Sequence, residues 1–181
     1  MHVEVEKVLT GTRLEEAWHL YTTAFEELRR AAVQRHVMHR SEFDEVMADD
    51  RVEKYVALTP EGTLCALSTF TNDLDAMPLI SPDYFAHRWP DHYAEHRVWY
   101  LGFLAIADSQ RGSGVFETMI ERMWRIVRAN AGIAAMDICA RNEARHLDGA
   151  ITRTLTALTP DVVPTRLDTQ AFWCWELPTA S

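Results

Sequence analysis

The stretch best equipped for ligand chemistry is Gln110-Arg111-Gly112-Ser113-Gly114-Val115-Phe116. An apolar run, Val98 to Ala107, precedes it and reads as a buried strand. Behind it, Phe116, Met119, Ile120, Met123 and Val127 share one face of a helical pattern, with Glu117, Glu121, Arg122, Arg125 and Arg128 elsewhere. Strand, glycine turn and helix aim free backbone N–H groups and the positive end of a helix dipole at one point. A phosphate is the natural occupant. Glycine at 112 and 114 permits positive φ and lets a ligand approach without meeting a Cβ. The plainer alternative is a strand-to-helix turn with no ligand.

Two common phosphate loops are excluded. A Walker loop ends in Gly-Lys-Ser/Thr, whereas Val115 and Phe116 follow Gly114. A dinucleotide fingerprint needs a third glycine or alanine, and the spacing here reaches Glu117.

The segment Asn72–His96 is the second place where residue types suggest chemistry. It is far longer than the ~2–6 residues usual between strands, and long connections tend to be functional. It carries Met77, Tyr84, Phe85, Trp89 and Tyr93, together with His87, His92 and His96. Ser81-Pro82 predicts a helix start inside it. His92 and His96 are one helical turn apart, as metal ligands would be. Solvated or substrate-facing histidines fit better, so no metal site is assigned. A lid of aromatics over an apolar group, or over a partner protomer in a homodimer, suits the composition.

Length and composition suit one domain, residues 1–181, with residues 72–96 as an insertion. At 48% hydrophobic and 25% charged residues, the balance is that of an ordinary globular protein. A net charge of −9 argues against a nucleic-acid partner, although local amides and arginines can still hold an anionic cofactor. No apolar stretch has bilayer-spanning length, and the acidic start does not resemble a signal peptide, so no membrane partner is expected. Cys65, Cys139 and Cys174 fall in predicted strands without metal-like spacing and read as reduced core residues of a cytoplasmic protein.

The elements that must position these residues follow from pattern and punctuation. His2–Leu9 alternates as a strand. Thr12-x-x-Glu15 reads as a capping box for a helix burying Leu14, Trp18, Tyr21, Phe25 and Leu28. Ser41 is read as the cap of a second helix carrying Phe43, Val46 and Met47. Val52–Thr59 and Leu64–Thr71 flank the turn at Pro60-Glu61-Gly62. After the central strand, loop and helix come a strand at Ala134–Ala140 and a helix marked by Ala144, Leu147, Ile151 and Leu155, which Pro160 stops. Val162–Leu167 and Ala171–Leu177 are predicted as closing strands. The sum is α/β, a mixed sheet flanked by helices in the order β-α-α-β-β-β-α-β-α-β-β.

This order, with Arg111-Gly112-Ser113-Gly114-Val115-Phe116 after Leu104-Ala105-Ile106, resembles the GNAT superfamily of acyl-CoA-dependent N-acyltransferases and its motif A, Arg/Gln-x-x-Gly-x-Gly/Ala. Phe116 departs from the usual last position. The resemblance covers nearly the whole chain, but only motif A is specific. It implies a mostly antiparallel sheet whose fourth and fifth strands splay, with the pantetheine of acetyl-CoA or another acyl-CoA lying between them. The backbone of Leu104, Ala105 and Ile106 would then pair with pantetheine amides. The amides of Gly112, Ser113, Gly114, Val115 and Phe116 would hold the pyrophosphate, with Arg111 alongside. Asn142 matches a family asparagine near the pantetheine, or simply caps a helix.

The usual catalytic slots hold other residues. The family's acid tyrosine falls near Asp148, with His146 close by, and its strand glutamate falls at Tyr100. Tyr100, His146 and Asp148 are therefore the candidates for proton transfer. Tyr84, Trp89 and Tyr93 are the candidates for binding the acceptor. The resemblance implies acyl transfer to a primary amine of a small molecule by direct attack. Transfer from a carrier-protein phosphopantetheine and a non-catalytic acyl-CoA-binding module stay open.

Overall fold

The computed structural model describes residues 1–33, 37–77 and 80–176. Five strands form one sheet in sequence order: β1 His2–Glu6, β2 Glu53–Leu58, β3 Leu64–Thr71, β4 Val98–Ile106 and β5 Ile133–Met136. Neighbours pair antiparallel except β4 and β5, which run parallel. The helices are α1 Gly11–Ala24, α2 Leu28–Ala31, α3 Arg40–Ala48, α4 Pro82–Arg88, α5 Pro90–Ala94, α6 Val115–Ala129, α7 Ala140–Ala144 and α8 Leu147–Leu158. The α/β class with a mixed, mostly antiparallel sheet is as expected. Among the described residues no helix is long and apolar enough to cross a membrane.

Every residue of β3 is buried, because both faces of the sheet are covered around it. On one face α6 buries Val115, Met119, Ile120, Met123 and Val127 against Cys65, Ala66, Phe70 and Leu101. Met119, Ile120, Met123 and Val127 are the stripe expected from the sequence, while Val115 is buried in place of Phe116, which packs at the margin. Each such side chain contributes about 1.5–3 kcal/mol on full burial. On the other face α1 and α3 bury Ala17, Leu20, Tyr21, Phe43 and Met47 against Leu67 and Ala105. Phe103 of β4 joins them, its ring edge-on to Tyr21 at 4.8 Å. A third cluster holds Leu74, Phe85, Val98 and Tyr100, with Met77, Trp89, Tyr93, Ala135 and Leu167 against it.

Several local signals act as read. Gly62, at φ +86, turns the β2–β3 hairpin, and the Thr59 amide donates to the Thr63 carbonyl at 2.9 Å. Ser81 is the N-cap of α4 with Pro82 first in the helix. The last long helix, α8, ends at Leu158, two residues short of Pro160.

Other expectations need correction. The first helix starts at Gly11 after Thr10, so Thr12 lies inside its first turn, and Leu28 belongs to the separate α2. The second cap is His39, not Ser41, and Glu42 accepts the His39 amide at 2.6 Å. The strand expected at 134–140 is Ile133–Met136, and the helix after it is broken into α7 and α8.

The two closing strands do not form over 162–167 and 171–176; Leu177 lies outside the described residues. Alternating apolar residues become a strand only where a neighbour supplies a ladder. Here Leu167 packs against the Tyr100 cluster without pairing, while Trp173 and Trp175 stay 78% and 84% exposed. The cysteines are corrected accordingly. Cys65 is a buried strand residue, Cys139 is half-buried at the N-cap of α7, and Cys174 is exposed.

Candidate functional site

The two central strands part company partway along. Their parallel ladder runs from Val98↔Ile133 to Leu101↔Met136 and stops, while β4 continues to Ile106 against β3. The edge of β4 from Gly102 to Ile106 therefore faces a gap. Its side chains leave that gap clear: Leu104 and Ile106 pack toward α6, Phe103 and Ala105 toward α1. What remains in the plane of the sheet is backbone N–H and C=O, the groups that pair with an extended chain containing amides.

A bulge marks the start of the gap. The β3–β4 register shifts between Thr69↔Phe103 and Phe70↔Leu101, leaving Gly102 as the extra residue. Here glycine is required by space. A Cβ at 102 would lie 2.6 Å from both Thr69 Oγ1 and Met77 Cε. Thr69 Oγ1 is also the one buried side-chain polar atom without a hydrogen-bond partner among the described residues.

The glycine loop closes the far end of the gap. A short 3-10 turn, Asp108–Gln110, leads through Gly112 (φ +78) and Gly114 (φ +84) into α6. Both glycines take left-handed backbone, which a Cβ would strain. Ser113 turns inward, its amide and hydroxyl both donating to the Gln110 carbonyl at 3.2 and 2.7 Å. The first amide bonded to the helix cap is that of Thr118, to Gly114 O at 3.0 Å. The amides of Gly112, Gly114, Val115, Phe116 and Glu117 donate to no acceptor among the described residues. Such unpaired donors at a helix start suit an anion. Arg111 flanks the loop, 2.8 Å from Asp108 and well exposed. Phe116 packs against the α6-side core, so its side chain leaves the loop open.

At the vertex, where β5 leaves β4, Tyr100 and Asp137 meet. The Tyr100 hydroxyl donates to Asp137 Oδ1 at 2.6 Å. Burial first, and then the neighbouring carboxylate, raises this phenol well above the usual tyrosine range. It therefore stays protonated and acts as a donor. Asp137 itself is exposed, one residue past β5. The sequence reading missed it; an acid closing the apolar run Ala134-Ala135-Met136 was the available signal.

The structure gathers only some of the other candidates. Trp89 and Tyr93 pack against the same cluster as Tyr100, with Trp89 stacked on Phe85 at 6.1 Å. Burial, helped by Asp75, Asp83 and Asp73, raises the Tyr93 phenol. Tyr84 points outward, edge-on to Phe85. His146 sits in left-handed backbone (φ +59) between α7 and α8, and Asp148 lies in the first turn of α8. Both are exposed, and neither makes a hydrogen bond or ion pair with Tyr100. Asn142 lies inside α7, not at its cap, which is Cys139. Clefts of about 240 and 520 Å³ share Asn72, Asp73 and His96, at the end of the sheet opposite the glycine loop.

No family model matches the chain, and no curated protein does. Solved structures do. A GNAT-family acetyltransferase from Listeria monocytogenes aligns over 84% of each chain at TM-score 0.56 and 14% identity. AAC(6')-Iy, in complex with the bisubstrate analog CoA-S-monomethyl-acetylneamine, aligns over 96% of this chain and 100% of its own, at TM-score 0.52 and 16% identity. The aminoglycoside antibiotic 6'-N-acetyltransferase AAC(6')-Ih from Acinetobacter baumannii aligns over 96% and 99%, at TM-score 0.51 and 12% identity. A sheet splayed at β4 and β5, a glycine loop opening α6 and these alignments over most of the chain together establish that the protein has the GNAT fold.

Proposed function

We propose that the protein transfers an acyl group from coenzyme A to a primary amine of a small molecule. The observation that carries this reading is the open backbone edge Gly102–Ile106 leading to the amides of Gly112, Gly114, Val115, Phe116 and Glu117, which have no acceptor among the described residues. An extended pantetheine fits the first and a pyrophosphate the second. Leu104, Ala105 and Ile106 would supply the strand-like pairing, with Arg111 beside the pyrophosphate and Asn142 near the pantetheine, as the family resemblance implies. The bound CoA-containing analog in AAC(6')-Iy supports a coenzyme A donor in this fold.

The chemistry is direct attack by the neutral amine on the thioester carbonyl. Backbone N–H groups at the β4 bulge stabilise the oxyanion, a contribution that can reach ~3–4 kcal/mol per donor. Tyr100, held protonated, would act as a donor near the thioester. Tyr100, His146 and Asp148 would assist proton transfer, and Trp89, Tyr93 and Tyr84 would bind the acceptor. No acyl-enzyme forms, so Cys139→Ala retains activity; an acylated Cys139 peptide from a quenched reaction would overturn direct attack.

Transfer from a carrier-protein phosphopantetheine would leave the loop amides and Arg111 with less to bind. Calorimetry with coenzyme A, and thiol release from acetyl-CoA over a panel of amines, test the proposal. Absence of coenzyme A binding defeats it. Binding without amine-dependent thiol release favours the non-catalytic module.

A further inference from the structure

We infer that Asp137 receives the acceptor amine and that Tyr100 is the positioning residue that holds it; this rests on the acyltransferase reading. The location comes from the ladder. The last β4–β5 pair is Leu101↔Met136, so Asp137 is the first residue on the β5 side of the gap and Gly102 the first on the β4 side. A pantetheine that enters at Gly112–Phe116 and follows the edge of β4 back from Ile106 runs out of space at this vertex. Its thioester stops between Gly102 and Asp137.

The pair has the form of a buried group orienting an exposed one. Tyr100 is 5% exposed, packed among Leu74, Phe85 and Val98, and its hydroxyl donates to Asp137 Oδ1 at 2.6 Å. Asp137 is itself an exposed residue. The Tyr100 bond takes one of the roughly four acceptor positions of a carboxylate, and the exposure of Asp137 lets an ammonium approach it. A charged hydrogen bond of this kind is short and strong, and it fixes the nitrogen beside the carbonyl it attacks.

The steps balance. The ammonium gives one proton to Asp137 and becomes the neutral nucleophile. Its lone pair forms the C–N bond while the carbonyl π pair moves to oxygen. The tetrahedral intermediate collapses, the C–S bond breaks, and the thiolate takes the second proton from nitrogen. Asp137 returns its proton to solvent, leaving an amide, free coenzyme A thiol and one released proton.

The test uses the full chain with acetyl-CoA and three amines: spermidine, tyramine and lysine methyl ester. Thiol release gives kcat/KM, and calorimetry gives coenzyme A affinity. Asp137→Asn keeps an oxygen for Tyr100 but removes the charge and the proton acceptor. Expected is a fall of ~10²-fold or more in kcat/KM for the best amine, at unchanged coenzyme A affinity. The deficit should narrow as pH approaches the amine's own pKa near ~10, where the neutral nucleophile forms unaided. Tyr100→Phe should lower the same ratio less, with a deficit that does not narrow. Native turnover by Asp137→Asn overturns this inference and leaves acyl transfer standing. Coenzyme A binding without acetylation of any of the three amines also counts against it, and no coenzyme A binding defeats both readings.

Discussion

The Thr69 hydroxyl points into the space that a side chain on Gly102 would occupy, 2.6 Å from the Cβ position. Met77 Cε closes that space from the other side at the same distance. A methionine end can swing aside, but the Thr69 side chain is β-branched and fully buried, so it gives little. Gly102→Ala should therefore cost about 1–3 kcal/mol by overpacking. Thr69→Val should do the reverse. It removes a buried hydroxyl without a partner and should raise stability by about 1 kcal/mol. Urea denaturation midpoints check both, and an unchanged midpoint for Gly102→Ala would refute the crowding argument.

The glycine loop makes a sharper demand on the cofactor. At φ +84, Gly114 adopts backbone that a β-branched residue resists by about 1–2 kcal/mol. On the acyltransferase reading, Gly114→Val should thus lose modest stability and most coenzyme A affinity, because the new side chain would crowd the pyrophosphate. Beyond the loop's adjoining residues, no atom of the described residues lies within 4 Å of the Cβ position. Calorimetry on the folded variant separates the effects; native affinity would be evidence that the loop is only a turn.

Lys54 sets a pH dependence of stability. It is fully buried, and its ammonium donates to the carbonyls of Lys7 and Asp49 at 2.7 and 2.5 Å. Burial lowers its pKa from 10.5 to about 8. Between those values the unfolded chain binds more protons than the folded one, so Lys54's contribution to stability rises with pH from about 8 to 10.5. Lys54→Met should flatten that rise. Thermal unfolding at several pH values checks it, and an identical slope in both proteins would dismiss the assignment.

The buried phenols act in the opposite direction at higher pH. Tyr100 and Tyr55 both ionise above their ordinary value of 10.0 in the folded state, chiefly because they are buried. The folded chain then keeps protons that the unfolded chain releases, and stability falls as pH climbs past 10. Tyr100→Phe should soften this alkaline loss, and Tyr55→Phe should add to the effect. A Tyr100→Phe protein with the native alkaline limb would contradict the burial argument.

The segment 72–96 should govern the acceptor more than the donor. Trp89 and Tyr93 pack on the cluster containing Tyr100, on the face away from α6. Replacing both by alanine should raise KM for the amine while coenzyme A affinity stays nearly constant. It should also cost stability, about 1–3 kcal/mol per ring removed from partial burial. Equal loss of both affinities would mark the segment as structural.

What the sequence determined by itself was local. Apolar periodicity gave β3, β4 and α6, because each buries a stripe whose spacing is written in consecutive residues. Gly112 and Gly114 marked the loop because positive φ is a property of the residue in place. Ser81-Pro82 marked the start of α4, and Pro160 bounded α8, for equally local reasons. Tertiary structure decided whatever depends on a partner distant in sequence. The alternating residues at 162–167 found no ladder, so they form no strand despite their pattern. The vertex exists because β5 stops pairing at Met136 while β4 continues. Tyr100 gained Asp137, 37 residues away, only when the parallel pairing set Tyr100 opposite Ala135 and left Asp137 just beyond. Hydrogen bonds between residues so far apart follow from register, and register is fixed by how the whole sheet packs.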